Sequence, residues 1–327
     1  MFLSSPLFRK LLRMTLAVII GACVAFTALL FLLQRRMIYF PRDYDPIDFK
    51  RLPWGTRELE YQTGEGPQVA FYVPPEVDAD KPPDRLWLMF GGNASLALDW
   101  LETVEKALAE SRQDHWKTKD AVTPTSPTGS ISPLSPSSPS SPSPDPSRAS
   151  PARVGYLLID YPGYGKCKGT PSDVAILEST EAAFRRLAQH LKTEPADLER
   201  DLNVMGHSLG AAAALQFAVR HPIRRAVIIS PFTSLVAMAR SVVHWPLCYL
   251  VRDRFDNHAR LAELLARPNP PAVAIFHGDA DQIVPVRMGR ELSKSFPQIT
   301  YREVHNGDHN FILSLIEDQL VESCTDD

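Results

Sequence analysis

The segment Val204–Ala214, VMGHSLGAAAA, constrains the fold of this chain more than any other stretch. It places Ser208 between Gly206 and Gly210, after an apolar run that predicts a strand and before alanines that predict a helix. Glycines at these positions let the strand and helix approach closely, and the turn lifts the serine hydroxyl above the sheet. The segment therefore predicts a nucleophilic serine. The structural alternative is a Gly-rich turn that merely opens an Ala-rich helix.

Short apolar runs alternate with helical patterns along the chain. This alternation predicts crossover connections and a mostly parallel sheet that is buried on both faces. The first two runs predict a hairpin. Helices are predicted over Ala94–Arg112 and Ser172–His190, the second with a capping serine, and two more over Val286–Phe296 and Phe311–Leu320. The predicted strands are Arg57–Gln62, Gln68–Val73, Arg85–Phe90, Val154–Asp160, Leu202–Gly206, Arg225–Ser230, Ala272–His277 and Ile299–Val304.

An uncharged apolar run of 20 residues, Met14–Leu33, lies near the N-terminus. As a helix it would be about 30 Å long, enough to cross the hydrocarbon core of a bilayer. A buried core helix and a cleaved signal peptide are the alternatives. The apolar region of a signal is usually only about 7–15 residues, and no clean small-x-small site precedes Gln34. The run therefore predicts a single-pass membrane anchor, and its orientation stays open because basic residues flank both ends.

The overall composition excludes several classes of function. The net charge of −3 and the pI of about 6.3 give no basis for nucleic-acid binding. The four cysteines are scattered without CxxC spacing, so neither a zinc site nor a disulfide framework is indicated. We expect no cofactor and no metal ion.

The segment Thr123–Pro151 consists mostly of serine and proline. Such a composition cannot bury enough apolar area to offset its ordering entropy, so we expect a disordered insertion. It lies between a predicted helix and a predicted strand. Its Ser-Pro pairs could accept phosphate or sugar, or the segment could be only a spacer.

A serine hydroxyl needs a base, and the base needs an orienting acid. The loop after the strand Ala272–His277 carries two candidate acids, and the next strand leads to two candidate bases. Asp281 is favoured over Asp279 because it lies further into its loop. His309 is favoured over His305, which directly follows a strand. These loops follow the carboxyl ends of neighbouring strands, the edge where open α/β sheets collect ligands.

Two backbone N–H groups are candidates for an oxyanion hole. Leu209 follows the serine at the start of the predicted helix, where its N–H points toward developing negative charge. Asn93 follows Gly91 and Gly92 in the turn after the third predicted strand.

The segment Pro231–Pro271 is too long for one crossover helix and predicts a small cap above the serine. The candidate pocket residues in this cap are His244, Trp245, Leu247 and Tyr249. Ordinary packing beneath the cap is the alternative role for these four side chains.

Several short motifs occur together: MIYFP after the apolar run, GGNA, DYPGYG, GHSLG, SPFTS, HGDADQIVP and GDH. With this set the chain resembles the α/β-hydrolases, and among them the single-span, membrane-anchored α/β-hydrolase-domain proteins. The resemblance implies an eight-stranded, mostly parallel sheet and hydrolysis of esters or related acyl compounds. It implies Ser208, Asp281 and His309 as the catalytic triad. The chain departs from the usual pattern at Gly91, where many relatives have histidine, and at Cys167, where serine is common.

We therefore predict a membrane-anchored serine hydrolase that cleaves carboxylic esters or thioesters, with an acyl or lipid substrate. A peptidase or amidase with the same triad, and a catalytically silent membrane-tethered adaptor, are the alternatives. Neither the acyl group nor the oligomeric state follows from the sequence. The expected organisation is a tail (1–13), an anchor (14–33), a connector (34–55), a hydrolase domain (56–320) that includes the insertion (123–151) and the cap (231–271), and a C-terminal tail (321–327).

Overall fold

The computed structural model of the protein describes residues 6–120 and 152–325. The predicted insertion Thr123–Pro151 lies outside the described residues. The first helix, α1, spans Pro6–Ile38 and so includes the predicted anchor and the beginning of the predicted connector. It is a candidate membrane span: the most apolar part has a mean hydropathy of 2.8, and none of its residues is buried in the protein.

All eight predicted strands form one sheet, in the order β1-β2-β4-β3-β5-β6-β7-β8. Strand β2 runs antiparallel to both neighbours, and all the pairs from β4 to β8 are parallel. The strands are β1 Arg57–Thr63, β2 Gly66–Val73, β3 Arg85–Phe90, β4 Val154–Ile159, β5 Leu202–His207, β6 Ile223–Ile229, β7 Ala272–Gly278 and β8 Thr300–Val304.

Helices cover both faces of the sheet. The remaining helices are α2 Leu101–Asp120, α3 Asp173–His190, α4 Pro195–Leu198, α5 Leu209–Ala218, α6 Leu235–Val243, α7 Asn257–Leu265, α8 Val286–Ser295, α9 Ile312–Leu315 and α10 Glu317–Thr325. One apolar cluster contains Phe184 of α3 and Phe217 of α5, and the other contains Val104 of α2 and Leu320 of α10. Every residue of β3, β4 and β5 is buried, as expected for central parallel strands that are covered on both faces, and most of these residues are apolar.

The chain order reverses at the centre of the sheet. From β3 it crosses to β4 on one side and then returns to β5 on the other side of β3. Such a switch point leaves a crevice at the carboxyl ends of the two strands. The turn after β3 carries Asn93, and the turn after β5 carries Ser208.

Two predicted helices differ from the observed ones. The helix predicted from Ala94 begins as a 3-10 turn at Ala97 and becomes α2 only at Leu101, because Ala94 has a φ of 62°. The helix predicted over Phe311–Leu320 is divided into α9 and α10. Acidic residues at the start of α10, Glu317 and Asp318, favour a new helix N-terminus there.

The two ends of the predicted cap have different environments. Helix α7 packs against α5 and buries Leu261 and Leu264 in the main core, so it is a crossover helix. Helix α6 and the 3-10 turn Leu247–Leu250 pack against each other and form the cap itself. The predicted C-terminal tail begins within α10, which buries Val321 and Cys324.

Candidate active site

Ser208 connects β5 to α5 in a strained conformation. Its backbone has φ 56° and ψ −114°, in a region that residues with a side chain rarely adopt. The flanking glycines explain how the turn is tolerated. A Cβ on Gly206 would collide with Gly210 O, and a Cβ on Gly210 would collide with Phe90 O. The sequence pattern thus encodes a close strand–helix approach that holds the serine side chain in place.

Ser208, His309 and Asp281 form a continuous hydrogen-bonded chain. Ser208 Oγ lies 2.8 Å from His309 Nε2, and His309 Nδ1 lies 2.7 Å from Asp281 Oδ2. An ionised carboxylate only accepts hydrogen bonds, so Nδ1 carries the proton and Nε2 is free to accept the serine proton. All three residues are buried. The structure thus brings together the three side chains that the sequence proposed as a triad.

Asp281 is held by its own loop. Its Oδ1 accepts hydrogen bonds from the N–H groups of Ile283 and Val284, at 2.9 and 2.8 Å. Burial raises the pKa of Asp281, but hydrogen bonding and the charge of His309 outweigh burial, so the pKa lies below its usual value. The carboxylate therefore stays ionised at neutral pH and can stabilise a protonated His309.

The alternative acid and base pair with each other on the surface. Asp279 Oδ2 lies 2.9 Å from His305 Nδ1, and Asp279 Oδ1 accepts the N–H of Asn306 at 2.7 Å. The side chain of His305 is 83% exposed. This pair fastens the loop between β7 and α8 to the loop after β8.

His207, directly before the serine, has a role that the sequence analysis missed. Its Nε2 donates a hydrogen bond to the backbone oxygen of His309 at 2.8 Å, and the two rings lie 4.8 Å apart. Burial, with the charge of His309, lowers the pKa of His207 to about 3, so its ring is neutral. The histidine in GHSLG was a visible signal, but its partner becomes clear only in three dimensions.

The turn after β3 lies against the serine. Asn93 and Leu209 both line the cavity that contains Ser208. Leu209 is the first residue of α5, where an N–H has no acceptor within the helix. The space for this arrangement depends on Gly92, because an added Cβ would lie 2.8 Å from His207 Nδ1.

The side chain of Asn93 binds the last residue of α1 and the segment just after this helix. Its Nδ2 donates to Ile38 O at 2.6 Å, and its Oδ1 accepts the N–H of Phe40 at 2.9 Å. The hydroxyl of Tyr164 donates to the same Oδ1 at 2.8 Å. The backbone of this turn is therefore fixed between α1 and the body of the protein.

A cavity of about 520 Å³ opens above Ser208 and His309. Of the four pocket residues predicted in the cap, only Leu247 lines it. His244, Trp245 and Tyr249 are exposed and do not, which corrects the prediction. The reason is that α6 ends at Val243, and the chain then passes through the exposed residues 244–246 before Leu247 returns to the cavity. The apolar lining comes instead from α6 and, unexpectedly, from the last turns of α1.

Groups of side chains that could bind a metal ion were sought throughout the described part of the protein. In the chain from residue 6 to 120 and from 152 to 325, no group of three or more His, Cys, Asp or Glu side chains is placed to hold a metal ion.

Comparisons with known proteins agree with the fold. The sequence pattern of the alpha/beta hydrolase family matches residues 145–306, which include Ser208 and Asp281. Two solved structures have the same fold over most of the chain. An alpha-beta hydrolase of Vibrio vulnificus is 14% identical, with a TM-score of 0.54, 86% of this chain covered and 87% of the other. The chain has the α/β-hydrolase fold.

Another structure with this fold is the esterase Pf2001 of Pyrococcus furiosus. It is 14% identical to this chain, with a TM-score of 0.53, 88% of this chain covered and 95% of the esterase. An uncharacterized protein of Mycobacterium tuberculosis is 35% identical over 139 residues, which make up 42% of this chain and 47% of that protein. The chain thus spans about half the length of the curated relatives it matches.

Proposed function

We propose that this protein is a membrane-anchored serine esterase that cleaves carboxylic esters or thioesters through an acyl-enzyme. The proposal rests mainly on the two hydrogen bonds that link Ser208 to His309 and His309 to Asp281. Support for ester substrates comes from the fold shared with an esterase, and support for anchoring comes from the long apolar helix α1.

The proposed reaction proceeds in two halves. His309 Nε2 takes the proton of Ser208 as Oγ attacks the acyl carbon, and the N–H groups of Leu209 and Asn93 stabilise the oxyanion. His309 then gives the proton to the leaving alcohol or thiol, which leaves an acyl-Ser208 ester. A water molecule, deprotonated by His309, attacks this ester, the acid leaves, and His309 returns the proton to Ser208 Oγ. Asp281 holds the imidazole throughout.

Labelling with a fluorophosphonate tests the nucleophile. We expect the full-length chain to be labelled, the S208A variant to lose labelling, and the matched S314A variant to keep it, because Ser314 lies in the exposed part of α9. Equal labelling of S208A and the wild type would contradict the proposal. An ester and an amide with the same acyl group distinguish esterase from amidase activity, and we expect the ester to be hydrolysed faster.

A further inference from the structure

The cavity above Ser208 has two apolar walls, and one of them belongs to α1. On α6, Leu235, Met238 and Val242 face the cavity with the spacing of one helix face. On α1, Leu30 and Phe31 face the same cavity. These two residues lie inside the uncharged run Met14–Leu33, so the cavity reaches the part of the chain that is apolar enough to enter a bilayer.

Polar contacts fix α1 beside the cap. Gln34 is buried, its Nε2 donates to Leu250 O at 3.2 Å, and its Oε1 accepts the N–H of Arg252 at 2.7 Å. Arg35 forms an ion pair of 3.1 Å with Asp253, whose side chain is 1% exposed. These contacts pair the buried Gln34 and one oxygen of the buried Asp253 carboxylate, so the end of α1 is held in place as a wall of the cavity.

The outer edge of the cap is apolar and uncovered. Val242, Trp245 and Tyr249 are 68%, 71% and 56% exposed. Tyr249 is next to Leu250, which binds Gln34 of α1. If α1 spans a bilayer, this edge lies at the membrane–water interface, where tryptophan and tyrosine side chains are enriched.

We propose that the space between α1 and α6 is an acyl-chain site that opens toward the bilayer, so that the substrate is a membrane lipid ester. The acyl chain passes from the hydrocarbon region along Leu30 and Phe31, lies against Met238 and Ala239, and presents its ester carbon to Ser208. This inference rests on the proposed esterase function. It adds the substrate class, the route of entry and the residues that select for chain length.

A substitution that fills the site tests chain-length selection. In the full-length chain in phosphatidylcholine vesicles, A239F should lower hydrolysis of a palmitoyl ester relative to an acetyl ester by about tenfold or more, because the added ring occupies the apolar cavity. The matched S241F variant carries the same ring on an exposed position of α6 and should keep the wild-type ratio. Fluorophosphonate labelling of both variants shows that they are folded.

An unchanged palmitoyl-to-acetyl ratio in labelled A239F would overturn the acyl site. If the wild type is not labelled at Ser208 and hydrolyses neither ester, the esterase function itself is wrong and the site falls with it. These two failures are distinguishable, because only the second removes labelling.

A photoreactive lipid locates the chain without catalysis. The inactive S208A chain, in vesicles that contain a phospholipid with a diazirine on its acyl chain, should crosslink to peptides that include Phe31 of α1 or Met238 of α6. The A239F substitution, added to S208A, should reduce that crosslinking severalfold. Crosslinks confined to other parts of α1, and unaffected by A239F, would show a helix that only contacts bulk lipid and would overturn the proposal.

Discussion

His207 shows how a residue next to the nucleophile can organise the site through the backbone of the proposed base. The carbonyl oxygen of His309 accepts a hydrogen bond from His207, so this ring fixes the backbone that carries the proposed base. A protonated His207 would place a charge beside His309. Burial prevents this, and it makes the stability of the fold depend on pH.

The first prediction concerns that dependence. An unfolded histidine takes up a proton near pH 6.5, whereas the pKa of His207 in the folded chain is about 3. Between these values the unfolded state binds more protons, so the free energy of unfolding decreases as the pH falls from 6.5 to 3. In H207Q the glutamine does not titrate and keeps an N–H donor. We expect the melting temperature of the wild type to fall more between pH 7 and pH 4.5 than that of H207Q.

Equal decreases in the melting temperatures of the wild type and H207Q between pH 7 and pH 4.5 would contradict this interpretation. The comparison isolates His207 because the lowered pKa values of His277 and Asp281 are present in both proteins. An exposed-site control, H244Q, should follow the wild type, since His244 is exposed in the cap.

The sequence predicted which strands and helices form better than it predicted the residues where they begin and end. Strands were predicted correctly because a buried parallel strand is a short apolar run, as in β3 and β4. The helix α3 begins as predicted, because Ser172 accepts the N–H of Ala175 at 3.0 Å. The division between α9 and α10 was missed. Ile312, Ile316 and Leu320 are all buried, so the apolar spacing continues across the break.

The same contrast holds for the site. Ser208, Asp281 and His309 could be chosen from motif order alone, since the turn and the two loops lie at one edge of a parallel sheet. The pocket residues could not be chosen in this way. Trp245 and Tyr249 look like lining residues because they are aromatic and follow an apolar helix, but whether a cap residue points inward depends on where α6 ends and on what covers it.

At the scale of elements, the turn after β3 is tied to α1 through one side chain. The second prediction is that N93A lowers kcat by about ten- to a hundredfold while KM changes little, because the N–H of residue 93 is retained but its backbone is no longer fixed to Ile38 and Phe40. Steady-state kinetics with a short-chain ester measures both constants.

Two further variants test whether the fall in kcat comes from the position of this turn. Y164F removes one of the hydrogen bonds to Asn93 and should give a smaller fall in kcat. S95A, in the same turn, should stay near the wild type. A rise in KM with unchanged kcat in N93A would show that Asn93 binds substrate and does not position the turn.

At the scale of the whole molecule, α1 is both a candidate membrane span and a part of the catalytic body. Its last turns contact the cap through Gln34 and Arg35 and the turn after β3 through Ile38. Removal of the apolar run as a signal peptide would take Leu30 and Phe31 out of the cavity wall. The place of Leu30 and Phe31 in the cavity wall therefore argues against cleavage of the apolar run, which its hydropathy alone does not do.

The third prediction tests retention in the bilayer. We expect the full-length chain to stay in the membrane pellet after alkaline carbonate extraction, and the variant V24R/F26R to be released in large part. Each arginine near the centre of a span costs about 2.5–3.5 kcal/mol of insertion free energy. The matched variant I47R/W54R adds the same charge at two exposed positions outside α1 and should remain in the pellet. If V24R/F26R were retained as fully as this control, α1 would not be the anchor. The exposed apolar edge formed by Val242, Trp245 and Tyr249 would then be the candidate for membrane attachment.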